Sequence, residues 1–210
     1  MKIAIIGAGN VGGTLGKAWA ARGHDVVFGV RDPHDRKLDE LLKDSGGRAQ
    51  AASVRNAVAA ADIVVLAVPW GSAQDAIRGA GDLRGKVVVD ATNPLKPDLS
   101  GLALGHTTSA GEEIARWAAG AKVVKAFNTI GAQHMANPRF DGQSASMFIC
   151  GDDAAAKKTV ASLAAALGFE PVDAGPLTQA RLLEPLALLW ISMAYAYGQG
   201  TDIAFRLLRR

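Results

Sequence analysis

The sequence predicts an α/β fold: a doubly wound parallel sheet covered by helices on both faces, with a smaller C-terminal lobe. Two observations carry this. Short β-rich runs alternate with Ala-rich helical stretches along most of the chain, as they do in βαβ units. The runs are also nearly continuous in Val, Ile, Ala and Leu, the pattern of strands buried on both faces.

Taken in order, residues 2–6 form the first strand and run straight into a glycine-rich turn and a helical pattern over 10–22. Residues 25–30, 62–68, 86–91, 121–127, 146–150 and 169–174 read as further strands. Helical spacing occupies 36–43, 54–61, 72–79, 110–119 and 154–167. Residues 92–109 hold Pro94, Pro97 and several glycines without periodicity. Such a stretch is too long for an ordinary connection, so we expect a structureless loop facing a ligand. After Phe127 the pattern restarts weakly. We therefore expect a first domain over 1–127 and a smaller lobe over 128–210, ending in helices from Thr178 to Arg210.

Composition narrows the function. With 49% apolar and 20% charged residues and a net charge of +3, the chain is an ordinary soluble globular protein. It lacks clustered Lys and Arg with interleaved aromatics, so no nucleic-acid partner is expected. Cys150 stands alone, which excludes an internal disulfide and a Cys-based zinc site; its apolar surroundings read as a buried strand. The apolar stretch 186–197 falls short of the ~20 residues of a membrane span, and reads as a core or subunit-interface helix. The chain opens directly into its first strand, so we expect no secretory leader, no membrane partner and a cytoplasmic location.

The turn after the first strand spells Gly7-Ala8-Gly9-Asn10-Val11-Gly12, a G-x-G-x-x-G. Gly7 suits a tight turn, Gly9 lets backbone approach a pyrophosphate, and Gly12 lets helix and strand pack closely. Unpaired N–H groups at the helix start then face the phosphates, as in a Rossmann-type dinucleotide site. About twenty residues on, where NAD-binding chains place a carboxylate for the ribose, this chain reads Gly29-Val30-Arg31. A guanidinium there suits a 2′-phosphate, with Arg36 and Lys37 just beyond, so the expected cofactor is NADP(H). Asp32 and Asp35 sit beside it, either of them able to meet a ribose hydroxyl instead.

Ligands of open α/β sheets lie at the carboxyl ends of the strands. Val68, Pro69 and Trp70 follow one such end, as a cofactor wall or as a simple helix start with a packed ring. Thr92, Asn93 and Pro94 follow another, as cofactor contacts or a local turn. Asn128 and Thr129 follow a third and are candidate substrate-binding residues; His134 and His106 read as ordinary histidines. No Tyr-x-x-x-Lys pair occurs, and Lys125 with Asn128 has the wrong spacing for a hydroxyacid dehydrogenase dyad. Carbonyl reduction needs a placed proton donor. Hydride delivery to a flavin-like ring needs mainly alignment and exclusion of water, so an aromatic redox acceptor is expected.

These residues resemble the NADPH-dependent coenzyme F420 reductases and their bacterial relatives. The likeness lies in "GAGNVG", "GVRD" where that family usually has Gly-Ser-Arg, "VPW", "CGDD" and "DAGPLTQARLLEPL". A second resemblance, through "VVKAFNTIG", is to the NADPH domain of six-transmembrane metalloreductases. The resemblance implies a homodimer and hydride passing between nicotinamide and a deazaflavin (coenzyme F420) or a flavin such as FMN or FAD. It implies that Gly7, Gly9, Asn10, Val11 and Gly12 meet the pyrophosphate, Arg31 the 2′-phosphate, and Val68, Pro69 and Trp70 the nicotinamide side. Val30 departs from the family's serine, which removes one phosphate hydrogen bond. The expected function is an NADPH-dependent oxidoreductase acting on a small redox acceptor, with a noncatalytic NADP(H) sensor and a small imine or 2-oxoacid reductase as the alternatives.

Overall fold

The computed structural model describes residues 1–210. Its centre is one eight-stranded sheet built from β1 (Lys2–Ile6), β2 (Asp25–Val30), β3 (Ala49–Ser53), β4 (Ile63–Leu66), β5 (Val87–Asp90), β6 (Lys122–Lys125), β9 (Ser146–Gly151) and β10 (Glu170–Gly175). A hairpin of β7 (Arg139–Phe140) and β8 (Gln143–Ser144) stands apart. Its turn residues Asp141 and Gly142 both have positive φ, as an Asp-Gly hairpin turn demands. Across the large sheet the order is β10-β9-β6-β5-β4-β1-β2-β3. The six strands from β3 to β6 run parallel, while β9 and β10, parallel to each other, lie antiparallel to β6. Strand order reverses between β1 and β4, so a crevice opens there at the carboxyl ends.

Seven helices cover the sheet: α1 (Asn10–Ala21), α2 (Asp39–Asp44), α3 (Val54–Ala59), α4 (Trp70–Ala80), α5 (Ala110–Trp117), α6 (Ala154–Leu167) and α7 (Ala180–Ile191). Along β1 the side chains split between two cores. Ile3 and Ile5 join Leu15 and Trp19 of α1, whereas Ala4 and Ile6 join Ala57 of α3 and Ile77 of α4. That division is why the strand sequences read as unbroken apolar runs. Each fully buried Ile or Leu contributes about 1.5–3 kcal/mol of transfer free energy, so burial on both faces dominates the stability of the sheet.

Three features differ from the sequence expectation. β3, with the sequence AQAAS, lacks the β-branched residues that mark a strand; pairing with β2 makes it one. Residues 92–109 are not structureless: Leu95 bridges Leu102, the Lys96 N–H donates to the Gly101 carbonyl, and the Ala103 N–H donates to the Pro94 carbonyl. The helices expected to reach Arg210 stop early, because α7 passes through a π turn over Ser192–Ala196 and then meets Gly198 and Gly200, both at positive φ. The last residues instead run back as an extended strap. Trp190 Nε1 donates to the Ile203 carbonyl at 2.8 Å, and the Ser146 N–H to the Phe205 carbonyl at 3.0 Å. No helix is long and apolar enough to cross a membrane.

On the far side of the sheet from α1, Arg181 of α7 forks onto Glu112 of α5 at 2.8 and 2.6 Å. That hydrogen bond outweighs partial burial and holds the Glu112 carboxyl below its ordinary 4.5. A depressed carboxylate stabilises the fold fully above its unfolded pKa and loses that contribution as pH falls through the folded value. Arg181→Ala should therefore shallow the acid limb of the curve of Tm against pH below about pH 4.5. An acid limb identical to the wild type's would show that the pair is thermodynamically silent.

Candidate functional site

The glycine turn sits where β1 ends at the reversal of strand order. Gly7 has φ +105°, and a Cβ there would fall within 3.0 Å of the Ala67 carbonyl of the chain leaving β4. A Cβ on Gly12 would collide with the Gly7 carbonyl. Packing thus requires both residues. Gly9 is different: its φ of −79° suits any residue, and an added Cβ would meet nothing within 4 Å. Its absent side chain leaves open the approach to the start of α1. There no side chain caps the first turn and no acidic residue occupies it, so its N–H groups and the positive dipole end face outward. Asn10 and Val11 are the first two residues of that turn.

Beside the turn lies a cleft of about 710 Å³. Gly7, Val30, Arg31, Asp32, Asp35, Lys37, Val68 and Pro69 line it among the expected residues, and Ser72 and Asp75 join them. Arg31 is exposed at the tip of β2, free of any ion pair. The neighbouring carboxylates hold their own loop: Asp32 Oδ1 accepts from the His34 N–H at 2.9 Å and Asp35 Oδ1 from the Lys37 N–H at 3.0 Å. Arg36 lies in the same short turn but does not line the cleft; Lys37 does.

The remaining expected residues gather beyond β4. Asn93 and Asn128 are joined twice: Asn93 Nδ2 donates to the Asn128 carbonyl at 2.9 Å, and Asn128 Nδ2 to Asn93 Oδ1 at 3.1 Å. The turn that brings them together is strained, because the buried Phe127 has φ +62°. Edge-to-face packing on Trp19 and Phe169 holds its ring. Asn128 Nδ2 also donates to the Leu183 carbonyl, while its Oδ1, sealed from the surface, has no partner in the chain. Thr92 and Thr129 are buried, and Pro94 closes the base of the 92–109 hairpin. Trp70 does not line the cleft: its ring stacks on Trp117 of α5 at 5.3 Å.

Beneath these residues lies a group that the sequence did not reveal. Lys125, fully buried at the end of β6, reaches Asp90 at 2.7 Å and Glu184 of α7 at 2.9 Å, and all three are within 1% of complete burial. Burial alone would lower the Lys125 pKa, but the two carboxylates outweigh it and hold the ammonium above its ordinary 10.5. Cys150 lies near enough to feel all three charges; burial pushes its thiol up to about 12, so it is a protonated core residue.

Comparison with known proteins places this geometry. The family model for NADP oxidoreductase, coenzyme F420-dependent, matches residues 2–94. The F420-dependent NADP reductase of Methanothermobacter marburgensis is 30% identical over 209 residues, covering 92% of each chain. The chain belongs to the coenzyme F420-dependent NADP oxidoreductase family. A solved structure of an Arthrobacter sp. FB24 protein assigned as an F420-dependent NADP reductase superposes with a TM-score of 0.91 and 37% identity over the whole of both chains. Metalloreductase STEAP3 of Rattus norvegicus is 35% identical over 90% of this chain, which spans only 37% of that longer protein.

Within the family frame, the glycine turn, the Arg31 cleft and the Asn93–Asn128 pair all occupy the carboxyl ends of neighbouring strands, in the order β2, β1, β4, β5, β6. The ion triad would have been detectable from one signal. "VVVD" and the "VVK" of β6 each end a buried apolar run on a charge, and such a charge requires a partner.

Proposed function

We propose that the protein is an NADP(H)-dependent oxidoreductase that passes a hydride between nicotinamide and a planar acceptor, coenzyme F420 or a flavin such as FMN or FAD. The observation that carries this reading is Gly9, a glycine that neither packing nor backbone conformation requires, at the uncapped start of α1. Gly7, Gly9, Asn10, Val11 and Gly12 hold the pyrophosphate, and Arg31 and Lys37 the 2′-phosphate; Arg36 adds charge from the outer side of the turn. Val30 offers that phosphate no hydrogen bond. Val68 and Pro69 wall the nicotinamide half. Asn93, Pro94, Asn128 and Thr129 form the acceptor side. When bound, the cofactor supplies the hydride. The chain's part is to orient the rings and exclude water, and no placed acid is required for an acceptor that carries its own proton chemistry.

The same reading includes a second copy of the chain. Leu182 and Leu189, seven residues apart on one side of α7, are both at least half exposed and give that helix an apolar stripe suited to a homodimer; Tyr195 and Tyr197 beyond it are exposed as well.

Arg31→Ala should weaken NADPH binding by ~1.5 to 3 kcal/mol, the range for hydrogen bonds to a charged group, with little change for NADH. Equal losses for both cofactors in a titration would remove Arg31 from the 2′-phosphate. The reading as a whole is tested by stopped-flow oxidation of NADPH against coenzyme F420, FMN, FAD and ferric chelates. Rapid reduction of at least one ring acceptor is expected. Tight NADPH binding without any turnover would make the protein a sensor, and turnover with small imines alone would make it an imine reductase.

A further inference from the structure

A buried ion triad is an expensive way to stabilise a fold, since apolar residues of similar size often serve as well or better. What distinguishes this one is where its hydrogen bonds go. Asp90 Oδ1 accepts from both the N–H and the hydroxyl of Thr92, at 2.9 and 2.7 Å. Lys125 Nζ adds a bond to the Thr92 carbonyl at 2.7 Å. Glu184 accepts from the Ala110 N–H at 2.9 Å and from the Gly111 N–H at 3.1 Å. Thr92 is the first residue of the 92–109 segment, and Ala110 is the first after it. The two ends of one loop are therefore tied to one charge network.

Between those ends the Leu95–Leu102 bridge folds residues 94–103 of the loop on themselves. Asn93, one residue inside the first attachment, is bonded to Asn128. We infer that Asp90, Lys125 and Glu184 are positioning residues: a single buried clamp sets the pose of the 92–109 loop and, through Asn93 and Asn128, the place where the acceptor ring lies. The inference rests on the function proposed above for the identity of that ligand. It sets the triad apart from cofactor affinity, because none of the three residues lines the 710 Å³ cleft with Arg31. Glu184 also explains how the surplus negative charge is tolerated, since it faces the N-terminal N–H groups of α5 and that helix's positive dipole end.

The test is Glu184→Gln, which keeps the shape but replaces one acceptor oxygen by a donor facing either Lys125 or a backbone N–H. Hydrogen exchange in peptides spanning 93–109 should speed up by about tenfold or more, the KM for the best ring acceptor should rise by a similar factor, and the NADPH dissociation constant should stay within about twofold. Unchanged exchange in the loop, or equal losses for acceptor and NADPH, would overturn the clamp. Should the variant fail to fold, wild-type exchange decides. The Ala110 and Gly111 amides should be protected like those of β5 while the 97–101 tip exchanges freely; amides at 110 and 111 exchanging as fast as the tip would sink the idea. If the wild type reduces no ring acceptor, the proposed function fails, and the exchange measurements still judge the clamp.

Discussion

Lys125→Met is expected to destabilise the fold by about 3 to 5 kcal/mol, the cost of leaving a buried ion network without its cation. For a chain of this size that corresponds to a fall in Tm of roughly 6 to 20 °C. The reasoning is one of sign. Asp90 and Glu184 lie at 0% and 1% exposure, and without the ammonium they must either repel each other in an apolar surrounding or take up protons. Glu184 retains two N–H donors from α5 and Asp90 retains Thr92, so the carboxylates stay oriented while losing their neutralising charge. Replacing all three by apolar residues removes that charge but strips the Thr92 hydroxyl and the N–H groups of Thr92, Ala110 and Gly111 of their acceptors, so its cost reports the hydrogen bonds where that of Lys125→Met reports the charge. Thermal melts of the single and triple variants separate the two cases. A single variant melting within about 2 °C of the wild type would mean that the network contributes nothing on balance.

The network also fixes a pH window. Lys125 is raised above 10.5 in the fold, so its contribution is complete at neutral pH, begins to be lost as pH rises past the unfolded value near 10.5, and is gone above the higher folded value. The wild type should keep its Tm up to about pH 10 as far as this group is concerned, and Lys125→Met should remove any decline that the ammonium causes above it.

What the sequence revealed of this molecule and what it hid divide along physical lines. The glycine turn, the place of Arg31 at the tip of β2 and the doubly buried strands were legible because each is a local pattern: spacing within a few residues, or an apolar run without interruption. β3 was hidden because AQAAS has no β propensity of its own and becomes a strand only against β2. Trp70 could be read as a cofactor wall or a packed ring until Trp117, far along the chain, was seen stacked on it. Asp90, Lys125 and Glu184 come from two strands and a helix, and Lys125 invited comparison only with a catalytic dyad whose spacing it lacks. A charge at the end of an apolar strand announces that a partner exists without saying where it lies. The end of α7 shows the reverse case: the apolar run suggested helix to the terminus, and two glycines at positive φ turned the chain into a strap.

Gly12→Ala should abolish tight NADPH binding while leaving the sheet folded. Gly12 lies in the first turn of α1, and its Cα faces the Gly7 carbonyl so closely that a methyl group cannot be placed without moving one backbone segment or the other. Gly7 cannot yield toward β4, since the Ala67 carbonyl already occupies that side. The start of α1 must therefore tilt outward, and the N–H groups it presents lose their common direction. Losing two charge-assisted hydrogen bonds of about 1.5 to 3 kcal/mol each would weaken NADPH by at least ~100-fold. The same tilt should weaken NADH to a similar degree, because the pyrophosphate is common to both cofactors; this separates the turn from Arg31, whose loss should be felt by NADPH alone. The rest of α1 is anchored by Leu15 and Trp19, both at 0% exposure, so the far-ultraviolet spectrum should stay that of the wild type. An alanine variant that binds NADPH within about threefold of the wild type would show that the turn flexes freely. The close approach of Gly12 to the Gly7 carbonyl would then not set the direction of the N–H groups at the start of α1.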